Sequence, residues 1–210
     1  MPSSHAVVVG AILAGGESRR FGSPKALARV DGVRIVDRVR GALGEAVDEM
    51  VVIANDPALF ADLDLPICGD RMRGSGPLAG IDAALRWAAE RGAAGALCVS
   101  CDLPFAPAGL LREIAARADA DHAVVPESPR GHGMEPLCAW YPLSALAEVE
   151  RALASDDRSL RALLASVDSV RVPLETVRRF GDPEVLFFNV NTRDDLERAQ
   201  AIARSTDAAS

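Results

Sequence analysis

Along the chain, short apolar runs bounded by glycine or proline alternate with longer stretches in which apolar residues recur every three or four positions. Runs of the first kind have the length of strands, and several are apolar throughout, as strands covered on both faces should be. They place strands at Val7 to Leu13, Met50 to Ala54, Ala96 to Cys101 and Ala123 to Pro126, with a late one at Val185 to Val190. Of the second kind, Ile35, Val36, Val39, Ala42 and Leu43 share one face of a helix that Gly44 ends. Ile81, Ala84, Leu85 and Ala88 do the same in a helix opening after the turn GSGPLAG and closing at Gly92. Leu110, Leu111 and Ile114 mark a helix introduced by Pro107, and Leu160, Leu163 and Leu164 another. Thr192 and Asp195 have the spacing of a capping box ahead of a last helix whose apolar face is Leu196, Ala199 and Ile202. Strand alternating with helix predicts an α/β fold, a three-layer α/β/α sandwich on a mainly parallel, Rossmann-like sheet. A length of 210 residues suits one such domain, residues 1–204, with 205–210 (STDAAS) as a flexible tail.

Composition removes several partners. Hydrophobic residues at 49% and charged ones at 25% are ordinary for a globular domain, and no repeat, low-complexity segment or linker interrupts the pattern. A formal net charge of -7 argues against a general nucleic-acid or anionic-membrane binder, because both reward a basic face. No run approaches the roughly 18 apolar residues of a membrane span. The run Ala6 to Ala14 lacks the basic residue that precedes a signal-peptide core, so a buried first strand explains it better, and the expectation is a soluble, cytoplasmic protein. Cys98 and Cys101 match C-x-x-C but sit in ALCVSCD, which reads as strand, whereas a redox pair needs a helix N-terminus. With Cys68 and Cys138 they are expected as small buried hydrophobes, and Trp87 and Trp140 as packing residues.

In open parallel sheets ligands bind outside the carboxyl ends of the strands, so the residues following each strand carry the chemistry. After the first strand comes LAGGESRRFGSPK, Leu13 to Lys25, in which glycines let backbone N–H groups approach phosphate oxygens while Arg20 and Lys25 offset their charge. It is neither a P-loop nor a dinucleotide fingerprint, and an ordinary strand-to-helix turn stays open on spacing alone. The second strand delivers Asn55 and Asp56, the third Asp102 in SCDLPF, and the late one Asn189 and Asn191, with Asp70 and GPLAG lying between the second and third. A carboxylate such as Asp102 at a buried strand end is either a turn former or a ligand for Mg²⁺, which takes one or two carboxylates and completes its shell with water and phosphate oxygens.

In this order, LAGG-x-S-x-R-F-G-x-x-K, GPLAG, CDLPF and FFNVNT run from Leu13 to Thr192, and the sequence resembles the molybdenum cofactor guanylyltransferases, the MobA family of nucleotidyltransferases. The resemblance implies the nucleotide-diphospho-sugar transferase type of sheet and transfer of GMP from GTP to molybdenum-bound molybdopterin, with release of pyrophosphate. It implies Lys25, Asp102 and Arg20 as catalytic residues, and nucleotide contacts from Leu13, Ala14, Gly15, Gly16, Lys25, Asn55, Asp70, Gly76, Pro77, Leu78 and Asp102. Asp102 would hold Mg²⁺ or Mn²⁺, Asn189 and Asn191 would face the pterin acceptor, and transient contacts with cofactor-biosynthesis proteins and acceptor molybdoenzymes would follow. A phosphate nucleophile needs no general base, which agrees with the lack of an obvious catalytic triad; His132, in RGHGMEP, is expected to be a loop residue. Two alternatives stay open: a related transferase using CTP or another NTP with a different pterin, a sugar phosphate or a polyol phosphate, and a non-catalytic nucleotide-binding module.

Overall fold

The computed structural model describes residues 7–15, 21, 24–72, 74–130 and 133–207. In chain order the strands are β1 (Val9–Leu13), β2 (Arg29–Val30), β3 (Val33–Arg34), β4 (Glu49–Ile53), β5 (Ile67–Cys68), β6 (Gly95–Ser100), β7 (Ala123–Pro126), β8 (Cys138–Pro142) and β9 (Ser169–Val172). The α-helices are α1 (Ile35–Gly44), α2 (Pro77–Ala89), α3 (Ala108–Ala115), α4 (Leu146–Ala154), α5 (Leu160–Ser166), α6 (Leu174–Val177), α7 (Pro183–Leu186) and α8 (Arg193–Asp207). Seven strands form one sheet in the order β5-β4-β1-β6-β8-β7-β9, while β2 and β3 make a separate hairpin. β1 is parallel to β4 on one side and to β6 on the other, and all five of its residues are buried. Within the seven-stranded sheet of the described residues only β8 runs against its neighbours, antiparallel to both β6 and β7.

Alternate residues of the strands feed two separate cores, as a sheet covered on both faces requires. Val9, Ala11 and Leu13 pack with α2, α4 and α5, whereas Ile12 packs with α1 and α3. A third, smaller cluster joins Phe21 of the opening loop, Val30 of the hairpin and Ile35 to Phe188, Val190, Ala199 and Ala203 near the C-terminus. The β2–β3 turn is Asp31-Gly32, both at positive φ (50° and 75°), the geometry that suits the twist of a tight hairpin.

Three expectations need correction. Val185 to Val190 is not a strand: Asp182 caps Glu184 N–H, Pro183 takes the first helical position, and the segment becomes α7 followed by irregular chain. GPLAG is not a turn preceding a helix but its start, since α2 begins at Pro77 with Gly76 as its N-cap. The last helix continues through Asp207, beyond the point at which the tail was expected to begin, while its capping box forms as read, with Asp195 N–H donating to Thr192 Oγ1 and Thr192 N–H to Asp195.

Candidate active site

The carboxyl ends of β1, β4 and β6 open onto a cavity of about 710 Å³. Its walls include Leu13, Ala14 and Gly15 from β1 and beyond, Asn55 after β4, Asp70 after β5, Gly76 and Pro77 at the head of α2, and Asp102 after β6, with Lys25 from the opening loop. The Leu78 side chain is fully buried in the core, and its backbone belongs to the first turn of α2. Gly16 and Arg20 of the opening loop, and His132, lie outside the described residues.

One wall is built by the β4–β5 pair, which brings Asn55 and Asp70 side by side. Their bonds are reciprocal: Asn55 Nδ2 donates to Asp70 Oδ2 and the Asp70 N–H donates to Asn55 Oδ1, both at 3.0 Å. Neighbouring Asp56 also lines the cavity, but it turns its carboxylate to the Ala58 N–H, capping the short helical segment that follows. A Cβ on Gly15 would sit 3.1 Å from Asp70 Oδ2, so glycine there lets the chain run against this pair. Gly74 and Gly76, also in the lining, hold φ of 79° and 67°, a conformation glycine adopts freely, and α2 begins without a side-chain cap. Pro77 carries no N–H and the Ala79 N–H donates to the Gly76 carbonyl at 3.3 Å, so the Gly76 and Leu78 N–H groups are what the head of α2 can offer an acceptor atom on a ligand, aided by the positive end of the helix dipole.

Asp102 joins the cavity to the C-terminal segment. It is only 7% exposed. Its Oδ2 accepts a hydrogen bond from Lys25 Nζ at 2.7 Å, and the same ammonium donates to Asn191 Oδ1 at 2.9 Å. The Asp102 carbonyl accepts the Val190 N–H at 2.9 Å, which pins the N-V-N segment beside it and leaves Asn189 and Asn191 on either side of a buried valine. Oδ1 of Asp102 is buried with no hydrogen-bond partner among the described residues. Leaving a carboxylate oxygen in that condition is costly unless something with positive charge or a donor meets it. Asp102 therefore fits a divalent cation, one carboxylate ligand being enough where phosphate and water supply the others. Among the described residues no group of three potential metal-binding side chains forms.

Ser100, Leu137 and Glu135 belong to this edge, although strand-end reasoning from the sequence does not reach them. Ser100 and Leu137 line the cavity, tied by the Ser100 N–H to Leu137 carbonyl bond at 2.8 Å. Glu135 stands two residues before Leu137, buried at 9% exposure. Burial pushes its carboxyl up to about 7, against the Leu137 N–H bond, with the Asp102 charge raising it further and Arg130 and Asn189 opposing. The C-x-x-C pair is inert: Cys98 and Cys101 are free, buried, and pushed up to about 12 by that burial. Trp140 is buried with its indole N–H on the Asp119 carbonyl, and Trp87 packs under Arg91, so both are packing residues.

A mainly parallel sheet whose strand ends gather a glycine-lined wall, a lysine and a metal-competent aspartate defines a nucleotide-binding transferase site. Comparison with known proteins gives the class its family: the profile described as MobA-like NTP transferase domain matches residues 10–172, and this chain belongs to that family of nucleotidyltransferases. A protein of Desulfosudis oleivorans named molybdenum cofactor guanylyltransferase is 37% identical over 202 residues, which cover 94% of this chain and 96% of that one. Molybdopterin-guanine dinucleotide biosynthesis protein A of Archaeoglobus fulgidus superposes with a TM-score of 0.75 at 29% identity, covering 94% of this chain and 99% of its own. Rv0371C of Mycobacterium tuberculosis H37Rv, solved in complex with manganese, shares the fold with a TM-score of 0.66 at 20% identity, over 93% of this chain and 98% of its own. No helix among the described residues is long and apolar enough to cross a membrane.

Proposed function

We propose that this enzyme transfers GMP from GTP to the terminal phosphate of molybdenum-bound molybdopterin, forming the guanine dinucleotide cofactor and releasing pyrophosphate, in the cytoplasm. The observation that carries the reading is the chain Asn191–Lys25–Asp102, which connects the nucleotide cavity directly to the N-V-N segment. An acceptor phosphate oxygen attacks the α-phosphorus, the α–β bridging bond breaks, and its electrons leave with pyrophosphate. Both partners are polyanions, so the enzyme's task is alignment and charge compensation rather than proton abstraction.

Residues already in contact divide that task. Gly15 and its neighbours, with Asn55 and Asp70, form the nucleoside wall, and the head of α2 supplies the Gly76 and Leu78 N–H groups as donors, with Pro77, which has no N–H, shaping the turn. Lys25 offers charge to the phosphates from a position between Asp102 and Asn191, a role that Arg20 shares. Asp102 would hold Mg²⁺ or Mn²⁺ through its unpartnered Oδ1, and the bound ion supplies electrostatic stabilisation of phosphoryl oxygens. Asn189 and Asn191 receive the acceptor. Transient hand-over from and to other proteins of the cofactor's biosynthesis belongs to the same reading.

Pyrophosphate release measured with each of the four NTPs, in the presence of Mg²⁺ and molybdenum-bound molybdopterin, tests it. GTP is expected to be preferred at least tenfold; preference for CTP would sink the guanylyl assignment while leaving the family intact.

A further inference from the structure

A nucleotide held in the cavity has to cross the sheet edge. Asn55 and Asp70, the nucleoside wall, follow β4 and β5, whereas Asp102, proposed to meet the phosphates through a cation, follows β6. Between β4 and β6 stands β1, and the ends of β1 and β6 are in register, with Leu13 opposite Ser100. The ribose joins base to phosphate, so its place is over that pair. Covalent reach agrees: Ser100 precedes Asp102 by two residues, which span at most about 7 Å of chain. A ribose 3′-hydroxyl is joined to the α-phosphorus through O5′, C5′, C4′ and C3′, a span of similar size.

Ser100 is built to face it. Along β6, Ala96 and Cys98 pack in the core that contains α2, while Leu97 and Val99 pack in the other. Strand alternation turns the Ser100 side chain to the α2 face, where Leu13, Pro77 and Gly80 line the same cavity. Helix α2 brings no side chain into that space, since a Cβ on Gly80 would already lie 3.3 Å from Leu13 Cδ2. Both backbone groups of Ser100 are engaged: its N–H donates to the Leu137 carbonyl at 2.8 Å, and its carbonyl accepts the Leu103 N–H at 3.3 Å. Its hydroxyl makes no hydrogen bond to the described residues, although the residue is only 7% exposed. Unlike Asp102 Oδ1 it is not sealed in protein, so what lies open to it is the cavity. A polar group at such a depth is expected to find a partner. A neutral hydroxyl that can both donate and accept suits a ribose hydroxyl, which does the same, and leaves phosphate charge to Lys25.

We propose that Ser100 is a specificity-determining residue for the nucleotide: its hydroxyl hydrogen-bonds a ribose hydroxyl and so selects against a nucleotide that lacks it. The inference deepens the proposed transfer reaction and rests on a nucleoside triphosphate occupying this cavity. It assigns sugar recognition to the end of β6, apart from the base wall at β4 and β5.

Dissociation constants for GTP, 2′-deoxy-GTP and 3′-deoxy-GTP, measured by titration calorimetry with Mg²⁺ on wild type, Ser100→Ala and Ser100→Cys, test it. In wild type one of the two deoxynucleotides is expected to bind at least fivefold more weakly than GTP, and which one identifies the hydroxyl contacted. Alanine removes the hydroxyl and cysteine replaces it with a weak donor, so in both variants GTP should bind at least fivefold more weakly while that deoxynucleotide changes less than twofold. The melting temperature of the ligand-free protein should stay at the wild-type value. Wild type that binds all three within twofold, variants that keep the wild-type discrimination, or variants weakened equally for all three would each overturn the assignment of Ser100. Wild type that discriminates as expected but releases no pyrophosphate from GTP with the pterin acceptor would overturn the transfer reading and leave the role of Ser100 standing. Wild type that binds none of the three would overturn both.

Discussion

Glu135 sets a buried titratable carboxyl in tension with the stability of the fold. Its carboxyl titrates near 7 in the folded protein, against an ordinary value of 4.5, chiefly because burial disfavours its charge, with Asp102 adding to the effect and Arg130 opposing it. Between those values the folded state keeps a proton that the unfolded chain releases, so this group's contribution is fully present below about 4.5 and is lost as pH rises through 7. Glutamine carries no such loss. In urea titrations of the metal-free protein, wild type is therefore expected to lose stability relative to Glu135→Gln between pH 5 and pH 8, on the order of a few kcal/mol. Parallel stability curves for the two proteins would show that the carboxyl is not held in its neutral form. Asp102 shows the same tension in another form, with one oxygen on Lys25 and the other buried without a hydrogen-bond partner among the described residues.

At the level of elements, the antiparallel strand β8 decides what the site can contain. It crosses β6 so closely at one end that a Cβ on Gly95 would lie 2.2 Å from the Tyr141 carbonyl oxygen and 2.8 Å from the Pro142 Cα. Backbone cannot yield there as a flexible side chain would, so Gly95→Ala is expected to destabilise by about 3 kcal/mol or more, read from the shift in urea midpoint. A change below about 1 kcal/mol would mean that β8 slides freely on β6. The same strand explains which residues were legible beforehand. Leu13 to Gly15, Asn55 and Asp102 follow parallel strands that are largely apolar, and a search of strand carboxyl ends finds them. Glu135 and Leu137 precede β8, whose reversed direction brings its amino end to that edge, where no such rule looks. β9 escaped notice because three of its four residues are exposed and their polarity is mixed. Val185 to Val190 misled for the opposite reason: it is apolar enough for a strand, but Asp182 and Pro183 start a helix, and Phe188 and Val190 find burial in the third cluster without a ladder.

Across the whole molecule that third cluster packs the opening loop and the β2–β3 hairpin against the C-terminal segment. Phe188 and Val190 pack with Phe21, Val30 and Ile35, and Arg130 lies 5.3 Å above the Phe188 ring. Phe188→Ala is expected to cost about 3 kcal/mol and to raise KM for GTP and acceptor together, because this packing holds Val190, next to Asn191, and Phe21, four residues ahead of Lys25. Leu163→Ala, in the core on the far face, should cost a similar amount and leave both KM values alone, which separates a linked site from general loosening. The matched family profile ends at residue 172, short of Asn189 and Asn191, so the proposed acceptor side would be supplied by chain outside the profile match. The bond from Lys25 to Asn191 also has a meaning in time. Lys25 leaves the ribosome 166 residues ahead of Asn191, so a chain still being made can assemble the nucleotide wall but lacks the partner that completes the acceptor side. With the roles proposed for Lys25 and Asn191, transfer is expected from a polypeptide only after the N-V-N segment has emerged.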